Sequence, residues 1–289
     1  MNYRHHFHAG NFADVMKHVL LVRLVSAMQR KDKGFLYLDT HAGRGSYDLG
    51  DASRGNTLER APEWPDGVGR LWDHTPELEI TRDYLKIVRD YDAERGNTEA
   101  TPRFYPGSPL IVGRMMREQD RMLLCERQPD ECDELDIAMG RQPRCSVQAR
   151  DGFGSLRATL PPPEKRALVL IDPPFESADE FKMIAKALKD GLRRLPRGVF
   201  AIWYPITQRA RVNGFFREIQ GVDLPSTVAV ELTIAGEDAG IKMRGCGLLI
   251  VNPPWQFEEE VASDLNELTE RLAQAPGGSS HFDWLVPEQ

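Results

Sequence analysis

Five short strand-type runs set the strongest limit on what this chain can fold into. FLYLD (35–39), RMLLCE (121–126), CSVQARD (145–151), LVLIDPPF (168–175) and VFAIWYPI (199–206) are separated by stretches that carry helical spacing. Strands that alternate with helices need crossover connections, and these place the strands parallel in one sheet covered by helices on both faces. Two later runs, STVAVELTI (226–234) and GCGLLIV (245–251), have no long helix between them. They read as a terminal hairpin that puts one antiparallel strand near the end of the sheet. The expected fold is therefore α/β, a mostly parallel doubly wound sheet with a terminal antiparallel hairpin.

Two further segments are legible. Asn11 reads as an N-cap, Asp14 lies in the first turn, and Phe12, Val15, Met16, Val19 and Val22 recur at helical spacing. Residues 12–29 are thus expected to form an amphipathic helix that carries Lys17 and His18. From 50 to 103 the texture changes to tryptophans, prolines and many charges, with a helical stretch LEITRDYLKIVRDYD and no strand signal. It reads as a helical insertion in a single 1–289 domain, preceded by an N-terminal flap and helix over 1–30. After it, Ser108 is expected to cap a helix opened by Pro109.

Composition narrows the class. The chain has 289 residues, 41% hydrophobic and 28% charged, without an apolar run long enough to span a bilayer. The N-terminus lacks a signal-peptide core, so a soluble protein of the cytoplasm is expected. Cys125, Cys132, Cys145 and Cys246 form no CxxC pair and read as buried free thiols. The histidines near the N-terminus supply no fixed tetrahedral set, so no metal is expected. Net charge is −7, yet residues 1–33 hold six lysines and arginines against Asp14 and Asp32. A basic face on an acidic body suits a selective nucleic-acid partner, and a solvated terminal helix explains it equally well.

The chemistry is expected at the strand tips, because ligands of such sheets bind outside the carboxyl ends of the parallel strands. Those tips carry Asp39, Glu126, Asp151 and Asp172. A carboxylate ending the second strand suits two ribose hydroxyls, which assigns Glu126, while Asp151 suits an exocyclic adenine amine. The loop HAGRGSYDLG, with Gly43, lets backbone approach a ligand closely but is not GxGxxG. With no P-loop motif either, S-adenosylmethionine is favoured over ATP or a dinucleotide. Asp172 opens DPPF, and NPPW (252–255) nearly repeats it eighty residues later. Because GCGLLIV is read as antiparallel, NPPW is expected at the opposite edge, with Trp255 covering apolar surface.

The segments YRHHFHAGNFADVMKH, FLYLDTHAGRGSYDLG, YPGSPL, REQD, ARDGF, LIDPPFE, WYPI and NPPW, in this order and spacing, resemble a known family. It is the bacterial large-subunit ribosomal RNA adenine-N6 methyltransferase family called methyltransferase J, which implies a Rossmann-like class I methyltransferase dependent on S-adenosylmethionine. The resemblance covers nearly every segment except 50–100. It implies cofactor contacts at His18, His41, Ser108, Glu126, Asp151, Gly152 and Asp172, to which the strand-tip reading adds Asp39 and Gly43. Tyr3 resembles a residue placed against substrate, and Arg4, His5 and Lys17 are grouped with it as a substrate-side flap. The implied partner is 23S ribosomal RNA, free or early in assembly, met by a monomer away from membranes. Two departures stand out: Phe175 where relatives carry tyrosine, and RQP after Glu126 where histidine-proline is common.

DPPF chemistry agrees with that assignment. The N6 amine of adenine is a poor nucleophile because its lone pair is delocalised into the ring, and the base must be exposed or flipped before it can react. Asp172 and the carbonyl of Pro173 would accept from the N6 hydrogens, with Phe175 stacked on the ring. Methylation of DNA adenine uses the same four residues and is a second reading. A non-catalytic nucleic-acid-binding protein linked to DNA use is a third, and the complete set of strand-tip acids counts against it.

Overall fold

The computed structural model describes residues 7–51, 61–177 and 179–288. The expectation of a mostly parallel sheet holds. β1 (Leu36–Asp39), β4 (Arg121–Glu126), β5 (Cys145–Ala149), β6 (Ala167–Ile171) and β7 (Val199–Ile206) run parallel, with β4 and β6 flanking β1. β8 (Thr227–Thr233) and β9 (Gly245–Val251) form the hairpin, and β9 pairs antiparallel to β7. A strand that the sequence reading did not include, β10 (Ser279–Val286), adds antiparallel to β8. The eight-stranded order is β10-β8-β9-β7-β6-β1-β4-β5. Two antiparallel strands therefore close the sheet, not one.

The period of two along each strand divides the core. Leu168 and Leu170 face one layer, while Val169 and Ile171 face the other. On the first face lie α1 (Phe12–Gln29), α2 (Glu79–Glu94), α3 (Ser108–Met115), α4 (Pro129–Met139) and α8 (Phe257–Leu272). On the second lie α5 (Gly152–Thr159), α6 (Glu180–Arg194) and α7 (Arg209–Gln220). Each fully buried aliphatic in these layers stabilises the fold by about 1.5–3 kcal/mol.

Helix α1 departs from expectation. Asn11 caps it as read, its side chain accepting from the backbone N–H groups of Ala13 and Asp14 at 3.0 and 2.9 Å. The helix is not amphipathic, however, since Asp14, Lys17 and His18 are buried along with its apolar residues. The sheet, α2, α3 and α8 surround it, so its polar side chains find partners inside the protein. Arg23 and Arg30 both pair with Glu260 of α8. These bases are therefore not part of a free basic face.

The stretch between β1 and α3 is anchored by a small antiparallel ladder. β2 (Ser46–Asp48) pairs with β3 (Phe104–Pro106), and α2 lies between them in sequence. The Asp264 carboxylate of α8 accepts from the backbone N–H and the hydroxyl of Thr81 at 2.8 and 2.7 Å, which ties α2 to the body. No helix of the described residues is long and apolar enough to cross a membrane.

The pairing of Phe200 with Val251 and of Ile206 with Gly245 puts the end of β9 beside the start of β7. NPPW therefore lies at the edge opposite the parallel strand tips. Asn252 adopts φ 54 and its side-chain amide donates to the carbonyls of Pro196 and Gly198 at 2.9 and 2.8 Å. Trp255 corrects the sequence reading, for it is 66% exposed and covers no core. Its proline-locked loop turns it outward. Asn252→Ala is expected to cost about 0.5–1.5 kcal/mol in urea denaturation, because it removes two hydrogen bonds, one exposed and one part-buried, that close the turn. Trp255→Ala is expected to stay within about 0.5 kcal/mol. A large loss at Trp255 in the same measurement would contradict this placement.

Candidate active site

The strand order reverses at β1, so the loops leaving β1 and β6 diverge and open a crevice at their carboxyl ends. A cavity of about 1220 Å³ fills it. That is larger than one small ligand needs, since such sites usually run to about 300–1,000 Å³. Asp172, Pro173, Pro174 and Phe175 leave β6 into its wall, between a half lined by His41, Gly43, Glu126 and Asp151 and a half lined by Trp203, Thr207 and Met243.

An ion pair fixes Asp172. The Lys17 ammonium donates to Asp172 Oδ2 at 2.6 Å and to Asp14 Oδ1 at 2.8 Å. Asp14 Oδ2 in turn accepts from the Gly10 backbone N–H at 3.0 Å. Burial alone would push the Lys17 ammonium down, but the Asp14 and Asp172 carboxylates outweigh it and hold it well above its ordinary range. Lys17 is therefore a fixed cation. Its expected place in a substrate-side flap is not where the structure puts it, for it sits inside α1, 5% exposed. Asp172 Oδ1 accepts from no described residue and is left for a ligand.

The half beside β4 holds Gly43, Glu126, Asp151 and Gly152. Glu126 ends β4, and its carboxylate accepts from the backbone N–H of Gly43 at 2.9 Å and of Gln128 at 2.8 Å. Burial pushes its carboxyl up, while those two amides oppose the shift. Gly43 has φ +61, and a Cβ there would meet the Tyr47 hydroxyl at 2.6 Å. Asp151 lies beyond β5, where it caps α5 by accepting from the Gly154 N–H at 2.7 Å. Gly152 follows because a Cβ there would stand 1.9 Å from the Thr40 carbonyl oxygen.

Ser108 lines the cavity but is not the helix cap expected from sequence, and Asp39 is not a lining residue. Gly107 occupies the cap position of α3, and the Ser108 hydroxyl donates to Asp39 Oδ2 at 2.7 Å. Asp39 does not line the cavity. It is fully buried beneath it, accepting also from the Tyr37 hydroxyl at 2.8 Å and from the His41 backbone N–H at 3.2 Å. Desolvation raises Asp39 to about 6, against the hydrogen bonds from Ser108 and Tyr37. The His41 ring bonds Thr40 through Nδ1 at 2.8 Å and meets Phe153 edge-on at 4.9 Å. Burial lowers it to about 4 although Asp172 and Asp151 pull the other way, so it is neutral at pH 7. His18 is 1% exposed and bonds Tyr105.

The other half is apolar. Phe175 sits at φ 53, a strained conformation for an aromatic residue, with ring centres 5.6 Å from Trp203 and 5.2 Å from Phe181. Pro205, Thr207, Ile234, Ile241 and Met243 continue the wall, with Lys242 among them. None of these was singled out from sequence, except that WYPI marked the segment holding Trp203 and Pro205. Tyr3, Arg4 and His5, the rest of the expected flap, lie outside the described residues.

The Asp39 carboxyl generates a pH prediction. Its pKa is about 6 in the fold and near 3.8 unfolded, so the native state binds the extra proton between those values. Stability from this group is full below about pH 4 and is lost as pH rises through 6, by roughly 3 kcal/mol. Denaturant titrations of wild type and Asp39→Asn are expected to show a stability difference that shifts in favour of the variant from pH 4 to 6.5. A difference independent of pH would contradict the buried, proton-binding Asp39.

The geometry can be set beside known proteins. The family model described as Ribosomal RNA large subunit methyltransferase D, RlmJ, matches residues 32–286. Ribosomal RNA large subunit methyltransferase J of Haemophilus influenzae is 37% identical over 288 residues, covering 100% of both chains. The protein of the same name from Escherichia coli strain K12 is 35% identical over 291 residues, again covering 100% of both. The crystal structure of protein LPL1258 from Legionella pneumophila aligns with a TM-score of 0.83 at 35% identity, over 96% of this chain and 98% of that one. S-adenosylmethionine is the methyl donor that such membership implies. With a matching family model over most of its length and full-length relatives at these identities, the chain belongs to the RlmJ family of ribosomal RNA large subunit methyltransferases.

Proposed function

We propose that this chain transfers the methyl group of S-adenosylmethionine to the exocyclic N6 of a specific adenine in 23S ribosomal RNA. The observation that carries the reading is Asp172 at the tip of β6, one oxygen held by Lys17 at 2.6 Å and the other open to the cavity, with two prolines behind it. Relatives named for ribosomal RNA methylation support the substrate class.

The residues present fit the donor. Glu126 would take the ribose hydroxyls and Asp151 the adenine amine. His18, His41 and Ser108 line the wall on the side of α1 and α3, where they would meet the amino-acid end. When bound, S-adenosylmethionine supplies an electrophilic methyl group. This chain's own groups do the rest. Asp172 Oδ1 and the Pro173 carbonyl would accept from the N6 hydrogens, drawing the nitrogen lone pair out of conjugation. Prolines fix φ on both sides of that carbonyl, so the acceptor needs little reorganisation. Phe175 and Trp203 offer faces for the adenine ring. Once methylated, the nitrogen is cationic and strongly acidic, and Asp172 is the nearest carboxylate to take the proton.

Lys17 stays charged throughout, so it serves as an anchor and not as a base. Since Asp172 has only 18% of its side chain exposed, the target base must leave its helix and enter the cavity. Free RNA or RNA early in assembly meets that requirement more readily than a packed subunit.

Two substitutions separate the roles. Asp172→Asn is expected to lower kcat on protein-free 23S ribosomal RNA by at least about a hundredfold. Glu126→Ala is expected mainly to weaken S-adenosylmethionine binding, by about ten- to a hundredfold in calorimetry. Turnover of Asp172→Asn within about tenfold of wild type, or unchanged affinity in Glu126→Ala, would overturn the assignment.

A further inference from the structure

The connector between β8 and β9, residues 234–244, stands at the same sheet edge as the tip of β6, because β9 begins beside the end of β7. It is pinned at its base. The Ile234 N–H donates to the Arg244 carbonyl at 2.8 Å and the Gly236 N–H to the Pro276 carbonyl at 2.9 Å, while the Ile234 carbonyl accepts from the Gln274 N–H at 2.8 Å. Across the turn, the Arg244 guanidinium donates to Glu237 Oε1 at 2.7 Å. Ile241, Lys242 and Met243 are thereby held in the wall of the cavity's apolar half, with Trp203 and Thr207.

Charge singles out Lys242. Of the described residues that line the cavity, ten are Asp or Glu and only four are Lys or Arg. A polyanion that approaches such a mouth is repelled unless its phosphates arrive where a cation is free. Three of the four cations are placed otherwise. Lys17 is held between Asp14 and Asp172, Arg44 pairs with Glu131, and Arg127 directly follows Glu126 on the donor half. Lys242 is exposed on the other half and makes no hydrogen bond or ion pair with another described residue.

A base that leaves its stack brings the phosphates on either side of it to the mouth of the cavity. We propose that Lys242 is a substrate-binding residue that meets a backbone phosphate beside the target nucleotide, while Ile241 and Met243 extend the apolar wall along which the base enters. Lysine suits this contact, being a point charge on a flexible stem that follows a phosphate without demanding one orientation. The contact carries no sequence information; it fixes the register of the nucleotide and leaves choice of the base to the groups around Asp172. The inference rests on the function proposed above, whose RNA substrate supplies the phosphate. Its own readout is RNA binding, which needs no methyl transfer.

The test compares the full-length wild type with Lys242→Gln, Lys242→Arg and Lys189→Gln, the last an exposed lysine of α6 away from the cavity that controls for the loss of one charge. Binding to protein-free 23S ribosomal RNA is measured between about 50 and 200 mM salt, and methyl transfer is then followed with saturating S-adenosylmethionine. Lys242→Gln is expected to weaken binding and raise KM about three- to tenfold, to keep kcat within about threefold, and to reduce the salt slope by about 0.7–1. Lys242→Arg should recover the affinity and the slope, and Lys189→Gln should match wild type. S-adenosylmethionine affinity is expected to be unchanged in every variant. A Lys242→Gln protein with wild-type RNA affinity and salt slope, losses that Lys189→Gln reproduces or Lys242→Arg fails to recover, or a loss in kcat alone overturns the proposal. If wild type binds the RNA but transfers no methyl group, the proposed function fails and the binding series alone decides the Lys242 contact. Absence of RNA binding by wild type overturns both.

Discussion

Everything at the crevice is referred to one buried cation. Lys17 reaches from the first turns of α1 to the tip of β6, and it holds Asp172 with Asp14 as its second partner. A lysine this deeply buried is stable only because two carboxylates compensate its lost hydration. Removing it would leave both carboxylates close together and largely out of water, a loss of about 3–5 kcal/mol for a broken buried pair. The requirement explains why α1 lies flat against the sheet with its polar side chains turned inward. It also explains how Asp172 can be rigid on one oxygen and open on the other.

The two proline-containing turns show how sheet direction decides function. DPPF and NPPW each end a strand of buried aliphatics with a polar residue and two prolines. β6 runs parallel to β1, so Asp172 arrives in the crevice beside the loop that follows Asp39. β9 runs the other way, so Asn252 arrives at the far edge, where it closes a turn onto Pro196 and Gly198. Local sequence is nearly the same in the two copies. Only pairing direction separates a carboxylate that lines the cavity from an amide that closes a turn.

The parallel strands were legible because β1, β6 and most of β4 are buried on both faces and write continuous aliphatic runs. β10 was not, because it lies at the sheet edge with its residues partly exposed, and SSHFDWLV carries a weaker alternation. At the site, Glu126 and Asp172 could be placed from their positions at strand ends. Asp39 occupies the same kind of position yet turns inward to Tyr37 and Ser108, a choice that depends on which neighbour offers donors. The role of Lys17 depends on a contact 155 residues away along the chain, and helical spacing says nothing about that. Trp255 was misread for the opposite reason, since an aromatic after two prolines looks like a core anchor until the loop's left-handed residues turn it outward.

The central claim is that an adenine amine, in ribosomal RNA, is the group that meets Asp172. The most direct measurement supplies labelled S-adenosylmethionine with protein-free 23S ribosomal RNA, assembled subunits and duplex DNA in parallel, followed by digestion of each product to nucleosides. The account predicts label in N6-methyladenosine from the free RNA, at one position, with little in assembled subunits or DNA. Label on any other nucleoside or atom, or a preference for duplex DNA, would contradict it.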